Sequence, residues 1–251
     1  MSTSSSLQHL RYTSLSSSNF HTINMFSDIS LKGALLSVFL AAGAVASPIE
    51  KRAACSQYTI ISTRGTGELQ GPSAGFRTMN QQTLAQVSGG TVYNTVYLAD
   101  ASQNSALGTQ DIVNKVQSSL RTNPNMCFIL QGYSQGAAAT VNAMPKLTGA
   151  NMDAVKGVFL IGDPEHRSGL ACNVDANGGT TTKNVNGLSA VLGGIPAAWV
   201  PKTMDVCAYG DGVCDTTHGF GINAQHLSYP YSSTVQSMGT KYMVAQLNGS
   251  S

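Results

Sequence analysis

The chain is short of charge: of 251 residues only 10% are Asp, Glu, Lys or Arg, and the formal net charge is +2. Even that small excess sits at the N-terminus. Residues 1–52 hold four basic residues (Arg11, Lys32, Lys51, Arg52) and two acidic ones (Asp28, Glu50), and ten of each sign remain beyond them. A region with no net charge and no basic cluster has nothing with which to neutralise a row of phosphates, so nucleic acid is not an expected partner. The apolar run from Gly33 to Val45 falls short of the ~20 residues that cross a bilayer, so stable membrane insertion is not expected either. The five cysteines show no zinc spacing, and no metal site is predicted.

What is present begins with a leader. From Met25 a short polar stretch with Lys32 leads into the apolar run and then into the small residues Ala44, Ala46 and Ser47, the pattern of a secretory signal over residues 25–47. Residues 48–52 end in Lys51-Arg52 and read as a short propeptide closed by a dibasic processing site. The Ser-rich residues 1–24 read as an upstream extension. The remaining residues 53–251 suit one secreted, extracellular domain with a sizeable core, and a monomer is expected.

All five cysteines fall in that domain, and export to an oxidising compartment makes disulfides the default. Cys207 and Cys214 are close enough to staple one loop, whereas Cys55 and Cys127 each stand at the mouth of an apolar strand run. Paired that way, they leave Cys172 over, buried and inert.

Short apolar runs alternate with longer amphipathic stretches, the mark of strands and crossover helices. The predicted strands are 58–62, 92–98, 127–130, 155–161 and 204–209; the predicted helices are 75–87, 110–120, 135–147 and 235–247. The Gly- and Asn-rich stretch 173–194 reads as a long surface loop. The expected fold is an α/β three-layer sandwich around a five-stranded parallel sheet.

Gly132-Tyr133-Ser134-Gln135-Gly136 fits Gly-x-Ser-x-Gly with a strand running in and an Ala-rich helix running out. A serine at such a turn is lifted above the sheet as a nucleophile. It needs a base and an acid, expected in the order Ser, Asp, His. His166 precedes the acid and fits badly; spacing favours His226 over His218 without deciding. Asp211 ends the last apolar run and lies inside the Cys207–Cys214 staple. Asp205 falls within the strand, Asp215 lies just outside the staple, and Asp163 suits a turn.

Four motifs in order, Arg64-Gly65-Thr66-Gly67-Glu68, Gly132 to Ala137, Asp211-Gly212-Val213-Cys214 and His226-Leu227-Ser228-Tyr229, resemble the cutinase family over essentially the whole domain. The likeness is nearest to the cutinase-like polyester-degrading enzymes of basidiomycete yeasts. It implies an α/β-hydrolase fold and a triad of Ser134, His226 and Asp211. It also implies an oxyanion hole at Thr66 and Gln135, and the disulfides Cys55–Cys127 and Cys207–Cys214. The implied substrates are cutin, short-chain esters and aliphatic polyesters, with no cofactor. Leu192, Ile195, Trp199, Phe220 and Ile222 are candidates to hold the acyl chain, and with no lid insertion between the motifs, activity on soluble esters without interfacial activation is expected. Acetylxylan esterase is the rival within esterases; a catalytically silent binder of waxy surfaces is the rival outside them. Asn248-Gly249-Ser250 is a glycosylation sequon.

Overall fold

The computed structural model describes residues 54–250, so the expected extension, signal and propeptide lie outside it. Its sheet has six parallel strands: β1 (Tyr58–Thr63), β2 (Gly90–Asn94), β3 (Cys127–Tyr133), β4 (Val155–Ile161), β5 (Asn173–Asp175) and β6 (Thr203–Cys207), in the order β2-β1-β3-β4-β6-β5. Five helices accompany them: α1 (Arg77–Gln86), α2 (Ala106–Thr122), α3 (Gln135–Ala143), the short α4 (Ala150–Ala154) and α5 (Ser233–Leu247).

The strands' period of two explains the layers. Ile61 of β1, Phe128 and Leu130 of β3, and Val158 and Leu160 of β4 face Ile112, Val113 and Val116 of α2 and the alanines of α3. Their neighbours Ile60, Ile129, Phe159 and Ile161 face the other way, onto Met79 of α1 and Val235, Met243 and Leu247 of α5. Both faces are buried, which is why these strands read as unbroken apolar runs.

The sheet has six strands where five were expected. The added edge strand β5 opens the stretch predicted to be loop, pairing Val174 with Val206. It escapes pattern recognition because its other two residues are polar and serve the loops on either side: Asn173 Nδ2 donates to the carbonyls of Arg167 and Lys183, and Asp175 holds the following turn, accepting from Asn177, Gly179 and Thr181. The run 92–98 leaves the sheet after Asn94, and Val96 and Leu98 are exposed.

Both expected disulfides are formed, Cys55 to Cys127 and Cys207 to Cys214. Cys172 is free and buried, and burial first of all pushes its thiol up to about 12, out of reach of thiolate chemistry. Asn248 stands exposed at the end of α5. Among the described residues no helix is long and apolar enough to cross a membrane.

His166 serves the fold. It is wholly buried, with Nδ1 2.6 Å from Asp205 Oδ2 on β6 and Nε2 3.0 Å from the Thr182 carbonyl. Two acceptors require both ring nitrogens to donate, which only the imidazolium can do. Burial alone would drive the ring toward neutrality, but the Asp205 carboxylate outweighs it and the pKa is pushed up to about 9. Asp163 takes the turn role, its Oδ1 accepting from the Glu165 N–H at 2.9 Å.

The sign follows from linkage. A folded-state pKa of about 9 above the ordinary 6.5 gives stability that is complete below pH 6.5 and is lost as pH rises through about 9. Thermal melts across that window are expected to show the wild type losing stability toward alkaline pH. His166→Gln should be less stable at neutral pH and should lack this component of the decline.

Candidate active site

The site is built where β3 becomes α3. Ser134 sits at φ 54°, ψ −122°, a backbone region that non-glycine residues rarely visit. Its N–H donates to the Ile161 carbonyl of β4 at 3.0 Å, which helps hold the turn in place. The flanking glycines are there for space. A Cβ on Gly132 would lie 2.5 Å from Ala137 Cα, and one on Gly136 would lie 2.2 Å from the Thr63 carbonyl oxygen.

His226 arrives on the loop before α5 and spans two partners. Its Nε2 lies 2.9 Å from Ser134 Oγ, and its Nδ1 lies 2.9 and 3.0 Å from the two oxygens of Asp211. The loop itself is tied to the turn, because the Tyr133 hydroxyl donates to the His226 carbonyl at 2.7 Å. Asp211 is wholly buried and its Oδ1 also accepts from the Val213 N–H at 2.9 Å. The other histidines are engaged elsewhere: His166 as described, and His218 with Asp215 at 2.9 Å while stacked on Tyr209. Asp205 lies inside β6, where it faces His166.

On the opposite side of Ser134 stands the loop after β1. Glu68 clamps it: Oε2 accepts from the Gly65 N–H at 2.7 Å and from Ser73 Oγ at 2.8 Å, and Oε1 accepts from the Ala74 N–H at 2.6 Å. Thr66 Oγ1 accepts from Gln103 Nε2 at 3.1 Å and lies 3.4 Å from Gln135 Oε1. Gln103, like Ser134, has a positive φ, 58°. Gln135 is the first residue of α3, so its N–H is among those a helix leaves without an internal partner.

A cleft of about 490 Å³ opens over Ser134 and Gln135, with Leu188, Leu192, Val213 and Ile222 on its apolar side. Leu192 is 83% exposed and Phe220, next to Gly221 of the wall, 90%. Ile195 and Trp199 are not in it. At 6% and 2% exposed they pack under the sheet with the α2 and α3 cluster, so their hydrophobicity serves the core. Among the described residues no group of three metal-ligating side chains converges.

Several residues here had no assigned role in the sequence, Leu188 and Val213 of the cleft among them. Tyr133 and Tyr229 stand inside recognised motifs, as does Glu68, but a motif does not say where a phenol or carboxylate points. Gln103 lies in a loop with no signal of its own.

The sequence profile described as Cutinase matches residues 54–247. A cutinase of Monilinia fructicola is 31% identical over 209 residues, which span 78% of this chain and 89% of the relative. A solved structure described as a novel cutinase-like protein from Cryptococcus sp. is 67% identical with a TM-score of 0.77, covering 79% of this chain and 98% of that one. The catalytic core domain of an acetyl xylan esterase from Trichoderma reesei shares the fold at a TM-score of 0.63 and 22% identity, covering 77% and 100%.

The crowding at Gly136 gives a direct check on the turn. Gly136→Ala is expected to lower stability by at least the ~1–3 kcal/mol typical of an overpacked core, read by urea unfolding, and to remove activity with it. A variant that keeps wild-type stability would contradict the close approach of β1 to the helix start.

Proposed function

Starting from the premise that this chain belongs to the cutinase family and is a carboxylic ester hydrolase of α/β-hydrolase fold, we propose that it works through an acyl-enzyme formed on Ser134. The observation that carries this reading is the single imidazole of His226, reaching the Ser134 hydroxyl with one nitrogen and the Asp211 carboxylate with the other.

In the proposed sequence His226 Nε2 takes the Ser134 proton as the oxygen attacks the ester carbonyl. Asp211 stays ionised, keeps the Nδ1–H tautomer and stabilises the imidazolium. The oxyanion is received by the hydroxyl and N–H of Thr66 and the N–H of Gln135, the hydroxyl turning to it from the amide oxygens of Gln103 and Gln135. The imidazolium then protonates the departing alcohol, and water, deprotonated by the same ring, releases the acid. The residues named supply every group these steps need.

The acyl chain is proposed to lie along Leu188, Leu192, Val213 and Ile222, with Phe220 at the rim. That apolar wall supports longer acyl groups than acetate, and with them polyesters such as cutin. Two formed disulfides support an oxidising, extracellular location, in keeping with the signal and propeptide proposed for residues 25–52. All these groups come from one chain, which supports action as a monomer.

Rates on p-nitrophenyl esters test both proposals. Butyrate should exceed acetate in kcat/KM; a steady fall with chain length would favour a sugar-acetate esterase instead. Ser134→Ala is expected to lose at least about 10⁴-fold in kcat. Thr66→Val should lose about 10²–10³-fold with KM little changed, as removal of one oxyanion donor does. Retained activity in Ser134→Ala would overturn the mechanism.

A further inference from the structure

Asp211 is wholly buried, so its hydrogen-bond donors decide its rotation. The Val213 N–H and His226 Nδ1 account for Oδ1 and for part of Oδ2. A third donor reaches Oδ2, the hydroxyl of Tyr229. That hydroxyl is held in turn, accepting from the Ala208 N–H at 2.9 Å just past the end of β6. The ring is wholly buried and stands edge-on to both Tyr133 and His226, at 5.9 and 6.3 Å between centroids. Burial first, and then the charge of Asp211, raise the phenol well above its ordinary value, so it remains a proton donor.

We propose that Tyr229 is a positioning residue of the ester-hydrolysing machinery, its hydroxyl fixing the rotation of the Asp211 carboxylate and drawing off negative charge so that the proton affinity of His226 is held down. The proposal rests on the triad reading above. A carboxylate that shares its charge with a phenol has less to offer an imidazolium. Without the phenol, Oδ2 keeps only the imidazole, and the carboxylate is held by the Val213 N–H and by the very ring it has to orient. The arrangement is also economical in sequence, because Tyr229 lies three residues after His226 and one loop delivers both.

The test is the pH dependence of kcat/KM on p-nitrophenyl butyrate for the wild type, Tyr229→Phe, Asp211→Asn and the double variant. Tyr229→Phe is expected to lower kcat about tenfold, the scale of one lost hydrogen bond, with KM within about twofold. Its acidic limb should move upward by about half a pH unit or more, because Asp211 regains charge. In the Asp211→Asn background the same change should cost less than about twofold, since the group it acts through is gone. Placing 3-fluorotyrosine at position 229, a stronger donor of nearly the same size, should move the limb downward; it also serves should the Phe variant not fold. An acidic limb unmoved in either variant, or a full tenfold loss in the Asp211→Asn background, overturns the proposal. The triad reading fails separately, if Ser134→Ala keeps its rate.

Discussion

One imidazole holds the working parts of this protein in register. His226 reaches a serine at the end of β3 with one edge and a carboxylate beyond the end of β6 with the other, although 92 and 15 residues of chain separate it from them. An ionised carboxylate removed from water is tolerable only when donors surround it, and the folded loop brings three donors to the buried Asp211. The converse also holds: the loop from Ala208 to Tyr229 is organised about that charge. The Cys207–Cys214 disulfide brackets the acid, and Tyr133 fastens the histidine's own backbone to the serine turn.

The other half of the site is built on the same logic with different groups. Buried Arg64 directs its guanidinium to the Glu68 and Tyr97 carbonyls and to Gln70, while Glu68 collects the donors of the loop between β1 and α1. Thr66, on the loop so clamped, meets the side chains of Gln103 and Gln135. Against this fixed machinery the margin of the cleft is apolar, with Leu192 and, beside Gly221, Phe220 standing almost fully in solvent. A rigid polar centre under an exposed apolar margin suits a substrate that is itself a surface.

The central strands and the serine turn were legible because their physics is local. β1, β3 and β4 are buried on both faces and show it as apolar runs; Gly132 and Gly136 mark a turn that admits no side chain. Chain order, loop spacing and the place of Asp211 after the last apolar run narrowed the acid and base and gave Asp163 to a turn, and family likeness decided between His226 and His218. What stayed hidden depends on direction rather than composition. Val96 and Leu98 look like strand but lie exposed beyond the sheet's edge, while Ile195 and Trp199 look like pocket but fill the core beneath α2 and α3. β5 is three residues long and two of them are polar groups tied to the flanking loops. Tyr229 sat in plain view within a recognised motif, yet only its position under Asp211 gives it a task.

The central claim is that one strained serine forms the covalent intermediate. It is tested most directly by treating the active protein with a serine-directed phosphonate and mapping the adduct by mass spectrometry. The account predicts a single adduct on Ser134, formed in step with loss of esterase activity. An adduct on another residue, or full labelling with activity intact, would contradict it.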